Sequence, residues 1–309
     1  MKNELPEGFT VRVPTPDDAQ TVTNLICQCD TADYGEPDYS LEDVRADWRR
    51  SGFELQRDAW LIFAREGALA AYGNAWDTGA HVRTEQTCVH PNYRGRGLEE
   101  FLIERVEAYT REIAESKTIQ WIMSMDHVAT IERFVQRGYQ PTRHDYVMEI
   151  VMSEAPPAPT LAESFVMRAF ERGRDERAVW ACTQEAFRDH RGHSDLAFEE
   201  WAKGFFEHAD WSSELSTVVM QGDEVVAATM AFHFFNGGWI LQLGVRRAWR
   251  KHGLGLAMLY RVFGECFTRG ISRVGLGVDA YSLTGATRLY EHAGMKIKNH
   301  YVRYEKEIT

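Results

Sequence analysis

The sequence predicts an α+β protein built from two similar units in tandem, each a mixed sheet flanked by helices. Glycine-marked turns recur at one interval: Gly97 precedes Gly138 by 41 residues, and Gly253 precedes Gly294 by 41. Across the chain, Arg94 and Arg250, Gly97 and Gly253, and Phe134 and Tyr290 each stand 156 residues apart, while Gly67 and Gly222 miss that register by one. Repetition at a fixed offset is the mark of a duplicated domain. Between the copies, SEAPPAPT at 153–160 sets three prolines in four positions, which neither a regular helix nor a central strand accommodates. The expected division is therefore 1–152, a connector at 153–160, and 161–309.

Each half repeats one order of elements. WLIFARE reads as a strand, Gly67 as a turn and ALAAYGNAW as the next strand; STVVMQGDE, Gly222 and VVAATMAFHF repeat this in the second half. An apolar strand, a basic glycine turn and a helix follow. The helix is read from Leu102, Val106 and Tyr109 in the first half and Leu259, Val262 and Cys266 in the second, which share one helical face. RVGLGV then alternates as a strand, a short helical stretch ends at AGM, and IKNHYVRYEKEI closes the chain as a strand.

Composition narrows the function classes. The 309 residues suffice for two ordinary domains, and 44% apolar content supports real cores. No uncharged stretch approaches the ~20 residues that cross a bilayer, and MKNELPEGFTVRV lacks a leader's apolar run, so no membrane association is expected. Five cysteines form no CxxC, and read as reduced thiols in a cytoplasmic protein. The net charge of -11 falls in residues 1–155, with 27 acidic and 16 basic side chains; the remainder holds 19 of each. Without a compensating basic stripe, nucleic acid is not an expected partner.

RKHGLGLA at 250–257 follows the strand-like WILQLGV and opens an apolar-patterned helix. The first N–H groups of a helix lack intrahelical acceptors, and the dipole adds roughly half a positive charge there. A diphosphate satisfies both. Gly253 and Gly255 let it approach the main chain, and Arg250 and Lys251 add charge at its edge. A tight turn with solubilising basic residues is the plainer reading of this motif alone.

The motif alone does not separate these two readings, and the distal half of the domain does. The chain resembles the GCN5-related N-acetyltransferase superfamily, whose central signature is Gln or Arg, two residues, Gly, one residue, then Gly or Ala. Arg250, Gly253 and Gly255 match it, and YSLTGATRLYEHAGM supplies Ser282, Thr284, Gly285, Ala286, Tyr290 and Gly294 at the superfamily's downstream positions, with Met295 where Phe is commoner. The match is specific over 215–305 and weaker over 164–214. Its tandem organisation is similar to that of mycothiol synthases, whose C-terminal half is active. The resemblance implies two splayed-sheet acyltransferase domains, acetyl-CoA as donor, and direct attack by the amine of a small molecule.

Carried onto this chain, the resemblance assigns backbone groups of Leu243 and Val245 to the pantetheine arm and the thioester carbonyl. The pyrophosphate falls to Arg250, Lys251, His252, Gly253, Leu254, Gly255 and Leu256, with Ser282 beside them. Tyr290 takes the general-acid role toward sulfur or, more plainly, packs against pantetheine. The resemblance assigns no base. Glu185, Asp189, His190, His193 and His233 are the candidates by residue type, His190 and His233 foremost, although any lone histidine is more commonly a surface or hydrogen-bonded group. Gly192 between His190 and His193 argues against a helical metal pair, so no metal is expected. Aromatic residues from Phe187 to Trp239, among them Trp201, Phe205, Phe206, Trp211, Phe232, Phe234 and Phe235, read mainly as core and partly as an acceptor pocket.

The first repeat reads as disabled. RGRGLEEF puts Glu99 where the second copy has Gly255, setting a carboxylate against a diphosphate. Phe134 stands at the place of Tyr290, and Asp126 stands near that of Ser282. Two losses fall on two tasks, cofactor grip and leaving-group assistance. A non-catalytic acyl-CoA sensor, or a scaffold of two degenerate domains, is the competing class. The sequence leaves the oligomeric state open.

Overall fold

A computed structural model of the chain describes residues 4–308 apart from 51, 85, 86, 126, 190–194 and 283. The first repeat runs β1 (Phe9–Arg12), α1 (Ala19–Tyr34), α2 (Leu41–Trp48), α3 (Leu55–Asp58), β2 (Ala59–Ala64), β3 (Leu69–Asn74), β4 (Trp76–Asp77), β5 (Val82–Thr84), β6 (Cys88–Val89), α4 (Leu98–Glu112), β7 (Thr118–Ser124), α5 (Val128–Gln136) and β8 (Gln140–Val151). The second runs β9 (Val166–Ala169), α6 (Glu176–Phe187), α7 (Phe198–Phe206), β10 (Trp211–Gln221), β11 (Glu224–Phe234), β12 (Gly237–Val245), α8 (Leu254–Thr268), β13 (Arg273–Asp279), α9 (Ala286–His292) and β14 (Lys296–Glu307). The two copies are α+β domains of mixed sheet flanked by helices, as the periodicity and motifs predict.

In the second repeat, antiparallel neighbours link β9, β10, β11 and β12, and β12 then pairs with β13 in parallel. Val225 to Phe232 of β11 are buried without a break, because helices cover both faces. On one face α8 packs Leu259, Val262, Phe263 and Cys266 against Ile240, Val274 and Leu276. On the other, α6 and α7 bring Val179, Cys182, Trp201 and Phe205 against Val218, Ala228 and Met230. Burying each such large side chain stabilises the fold by roughly 2 kcal/mol. The anticipated turns at Gly67 and Gly222 lie between β2 and β3 and between β10 and β11, with φ of 82° and 56°. Only glycine enters that region freely.

The compact units are cut differently from the repeats. One comprises Met1–Arg143 with Val302–Thr309, the other His144–Tyr301. These units differ from the division read at 152 and 161 by the placement of the closing strands. Residues 145–151 of β8 pair antiparallel with β13, from Asp145 opposite Asp279 to Val151 opposite Arg273. The end of β14 belongs to the first unit, where the Ile308 N–H donates to the Lys117 carbonyl at 2.7 Å and Gln120 Nε2 to Glu305 Oε1 at 2.8 Å. Local pattern specifies a strand but not the edge on which it docks.

No helix among the described residues is long and apolar enough to cross a membrane. No group of three or more His, Cys, Asp or Glu among them is arranged to hold a metal ion.

Candidate active site

The parallel pairing of β12 with β13 covers only Gly238 to Ile240 against Val274 to Leu276, whereas β12 stays paired with β11 as far as Val245. The two central strands therefore part after Ile240. A bulge lies at the parting point: Met230 faces Gln242 and Ala231 faces Ile240, so Leu241 is the extra residue. A bulge bends its strand and raises the local twist, which turns β12 away from β13. Leu241 is 52% exposed in an otherwise central strand.

Register determines which peptide groups face the gap. The Arg246 N–H donates to the Val226 carbonyl at 3.0 Å, so in antiparallel alternation Gly244 and Gln242 bond toward β11. The peptide groups of Leu243 and Val245 then point to the open edge, where pantetheine was expected. Opposite the gap, Gly244 lies under α6; a Cβ there would come 3.0 Å from the Ala186 Cβ. Gln242 Oε1 accepts from the buried Trp201 Nε1 at 3.2 Å, tying α7 to the bulged strand.

From β12 the chain enters a 3-10 turn at Arg247–Trp249 and then the glycine turn. Lys251 has φ of 67°, the one positive value on a non-glycine among the described residues, and Gly253 caps α8 with φ of 76°. A side chain in the left-handed region costs roughly 1 kcal/mol, and backbone inversions of this kind are what anion-binding nests are built from. The first-turn amides of α8, at Leu254, Gly255 and Leu256, lack intrahelical acceptors in the same place. These residues fit a diphosphate. The Leu254 side chain is core, so only its amide is available. His252 folds beneath the turn, its Nδ1 at 3.0 Å from the Arg250 carbonyl.

Two expectations shift in detail. Arg250 is committed to the protein: Nη1 pairs with Asp189 at 2.6 Å, Nη2 donates to the Ala186 carbonyl at 3.0 Å and Nε to the Val245 carbonyl at 3.3 Å. Its guanidinium clamps the turn to the end of α6. The ion pairs with Arg250 and Arg247 hold the Asp189 carboxyl below the usual range. Gly255 is glycine for packing: a Cβ would lie 2.9 Å from Leu289 Cδ2 and 3.8 Å from Leu243 Cδ2. The first turn of α8 thus rests on α9 beside Tyr290.

Tyr290 is 8% exposed within the α8–α9 cluster, and burial pushes its phenol up to about 12. Its hydroxyl finds no hydrogen-bond partner among the described residues. Ser282 and Thr284, ahead of α9, share a hydroxyl hydrogen bond of 3.0 Å. The fold therefore brings together Leu243, Gly255, Leu289 and Tyr290, and the sequence reading had missed the bulge at Leu241, the packing of Leu289 on Gly255 and the role of Asp189 as partner of Arg250.

Among the described residues, the base candidates Glu185, Asp189 and His233 do not converge on Tyr290. His233 is exposed and stands opposite Gly238, at the closed end of the β12–β13 pair. Glu185 pairs with Arg246 at 2.7 Å, and Asp189 is held in the clamp. His190 and His193 lie outside the described residues, as does Asp126. Of the aromatic residues, Trp201, Phe205 and Phe232 are core, with Phe206, Trp211, Phe234 and Trp239 packed against them, while Phe235 is 65% exposed.

The first repeat keeps the splay: β5 pairs with β7 in parallel, while β6 pairs with β3. It also keeps the clamp, with Arg94 on Asp33 at 2.6 and 2.9 Å and on the Val89 carbonyl at 3.1 Å. Glu99, expected to confront a diphosphate, instead turns back: its Oε1 accepts from the Gly95 N–H at 3.0 Å. Phe134 is 1% exposed, packed against Trp121 and Tyr139.

The acetyltransferase (GNAT) family profile matches the chain twice, over residues 19–139 and 177–295. A GCN5-related N-acetyltransferase from Sphaerobacter thermophilus superposes with a TM-score of 0.83 at 35% identity, over 99% of this chain and 97% of that one. A tandem GNAT protein from the clavulanic acid biosynthesis pathway shares the fold, with a TM-score of 0.76 at 14% identity over 97% of this chain and 99% of that one. The mycothiol acetyltransferase of Salinispora arenicola is 28% identical over 268 residues, which is 79% of this chain and 80% of its own. That of Catenulispora acidiphila is 23% identical over 310 residues, 96% and 97% of the two chains. With one match in each repeat, the chain belongs to the acetyltransferase (GNAT) family, as a tandem enzyme of two such domains that draws on an acyl-CoA donor.

Proposed function

We propose that the second repeat is an N-acetyltransferase that moves an acetyl group from acetyl-CoA to the primary amine of a small molecule, by direct attack while both are bound. The single observation that carries this reading is a conjunction in one repeat. A parted strand pair, an unblocked left-handed turn heading α8 and a buried phenol on α9 are linked through Leu243, Gly255 and Leu289. The coenzyme supplies an activated acyl thioester. The open-edge amides of Leu243 and Val245 hold the pantetheine arm and polarise the carbonyl, donors already oriented before charge develops. The amides from Lys251 to Leu256 hold the diphosphate, with Lys251 adding charge and Arg250 keeping the turn in shape. Tyr290 gives a proton to the departing sulfur.

At neutral pH the phenol keeps its proton, since burial has moved it to about 12. The rate then rises with pH as the acceptor amine, near ~10 when free, loses its proton. The mycothiol acetyltransferases support acetyl transfer; at 23 to 28% identity they do not carry their acceptor across. The test is calorimetric titration of acetyl-CoA followed by thiol release with a panel of amines. One binding site and amine-dependent release are expected. Binding without release for any amine would favour a sensor instead.

A further inference from the structure

The first unit carries two thiols that share one cluster between α1 and β6. Cys29 and Cys88 face the same cluster, packed with Leu25, Ile26 and Tyr72. Cys29 is 4% exposed, and its Sγ donates to the Val89 carbonyl at 3.4 Å. Cys88 directly precedes Val89 and is partly exposed. The Arg94 Nε donates to that same Val89 carbonyl at 3.1 Å, so a guanidinium and the Cys29 thiol converge on one oxygen. Cys27, two residues earlier on α1, turns away and donates to the Tyr39 carbonyl at 3.2 Å.

The two sulfurs are unlike each other. A hydrogen bond from Cys88, and after it Arg94, hold Cys29 below the usual thiol range against the opposing effect of burial. The hydrogen bond to Cys29, together with burial, pushes Cys88 well above that range. A thiolate-prone sulfur beside a protonated thiol is the arrangement in which one cysteine is oxidised and the other resolves it. The fold does not need sulfur at this place. At the repeat's offset of 156 residues, Cys29 and Cys88 fall on Glu185 and Gly244, and there Gly244 simply packs on Ala186.

We propose that Cys29 and Cys88 form a redox-modification site, at which a hydroperoxide converts the two thiols into a disulfide joining α1 to β6. The Cys29 thiolate attacks the peroxide, the O–O bond breaks, and Cys29 becomes a sulfenic acid as water or an alcohol departs. The Cys88 sulfur then attacks the Cys29 sulfur. The S–S bond forms, the S–O bond breaks, and hydroxide leaves as water with the proton from Cys88. Two thiols have lost two electrons and two protons, and the peroxide has been reduced. Asp33, one turn beyond Cys29, keeps its pairing with Arg94 alongside.

The test treats the full chain with hydrogen peroxide, alkylates it under denaturing conditions and maps the peptides by mass. Two of the five thiols are expected to disappear into one Cys29–Cys88 cross-linked peptide, restored by dithiothreitol. In Cys88→Ser, Cys29 stops at the sulfenic acid and is trapped by dimedone. In Cys29→Ser no disulfide forms, and Cys27→Ser behaves as wild type. Five free thiols after peroxide, or a cross-link that uses Cys27, overturns the assignment on the wild-type protein alone, whatever the variants do. Acyl transfer enters none of these readouts.

Discussion

At residues 94–99 and at 250–255 the chain makes the same turn twice. Gly95 and Gly97 adopt φ of 73° and 86°; Lys251 and Gly253 adopt 67° and 76°. Arg94 grips Asp33 and the Val89 carbonyl as Arg250 grips Asp189 and the Val245 carbonyl, each at the repeat's offset of 156 residues. What differs is the source of negative charge. In the first copy the Glu99 carboxylate accepts from the Gly95 amide, at the position equivalent to Lys251. The first copy thus carries its own anion, whereas the second has Gly255 at the position of Glu99. One side chain can thus place a carboxylate on such a turn without reshaping its backbone.

The comparison can be broken or sharpened experimentally, and the largest effect concerns the sheets on which both turns rest. A fragment of 161–309 lacks the β8 residues that pair with β13 and exposes the edge of that strand. It is expected to be insoluble or without a cooperative unfolding transition, whereas the full chain folds. A stable, monomeric 161–309 fragment would remove strand crossing from the account.

Next in size is Tyr290→Phe, which copies the residue at Phe134. Turnover is expected to fall on the order of 10²-fold, with acetyl-CoA affinity nearly unchanged, the pattern of a lost proton donor. Equal turnover with chemistry rate-limiting would leave Tyr290 a packing residue.

Gly255→Glu copies Glu99 into the second turn. Repulsion of roughly 1 to 4 kcal/mol is expected to weaken acetyl-CoA binding at least tenfold. Gly255→Ala is the control: Leu289 must yield to its Cβ, but no charge is added, so most of the affinity should remain. If the alanine loses as much as the glutamate, packing on α9 and not charge decides the matter.

The smallest effect is on stability. Burial raises the Asp30 carboxyl from 3.8 to about 6, where the second repeat has Ala186. The folded state keeps this proton to higher pH than the unfolded one, so stability falls as pH rises from the lower value to the higher. Asp30→Asn should remove that fall and stabilise the protein at pH 7 by on the order of 1 kcal/mol, after discounting for partial exposure. Denaturant unfolding at pH 4 and 7 checks it; an unchanged pH dependence would dismiss Asp30 as its source.

The turns were legible in the sequence because they rest on local rules. Gly97 and Gly253 mark left-handed caps that few other residues adopt, and the apolar stripes of α4 and α8 follow helical spacing. Less local features were hidden. Arg250 looked like a ligand because its partner Asp189 lies 61 residues earlier, where no pattern points to it. Leu241 carries no sign of a bulge, since an extra residue in a strand is defined by what faces it. The destination of β14 was equally silent, because IKNHYVRYEKEI reads as an ordinary closing strand.

Duplication usually leaves a spare copy that can decay and then be discarded. The crossing of closing strands blocks the second step. Residues 144–151 belong to the first repeat by sequence, yet 145–151 pair with the strand that leads to Tyr290, so selection on the second repeat also guards part of the first. The expected footprint is tolerance of substitutions around Glu99 and Phe134, and intolerance along Met148 and Ile150, whose side chains pack in the working core.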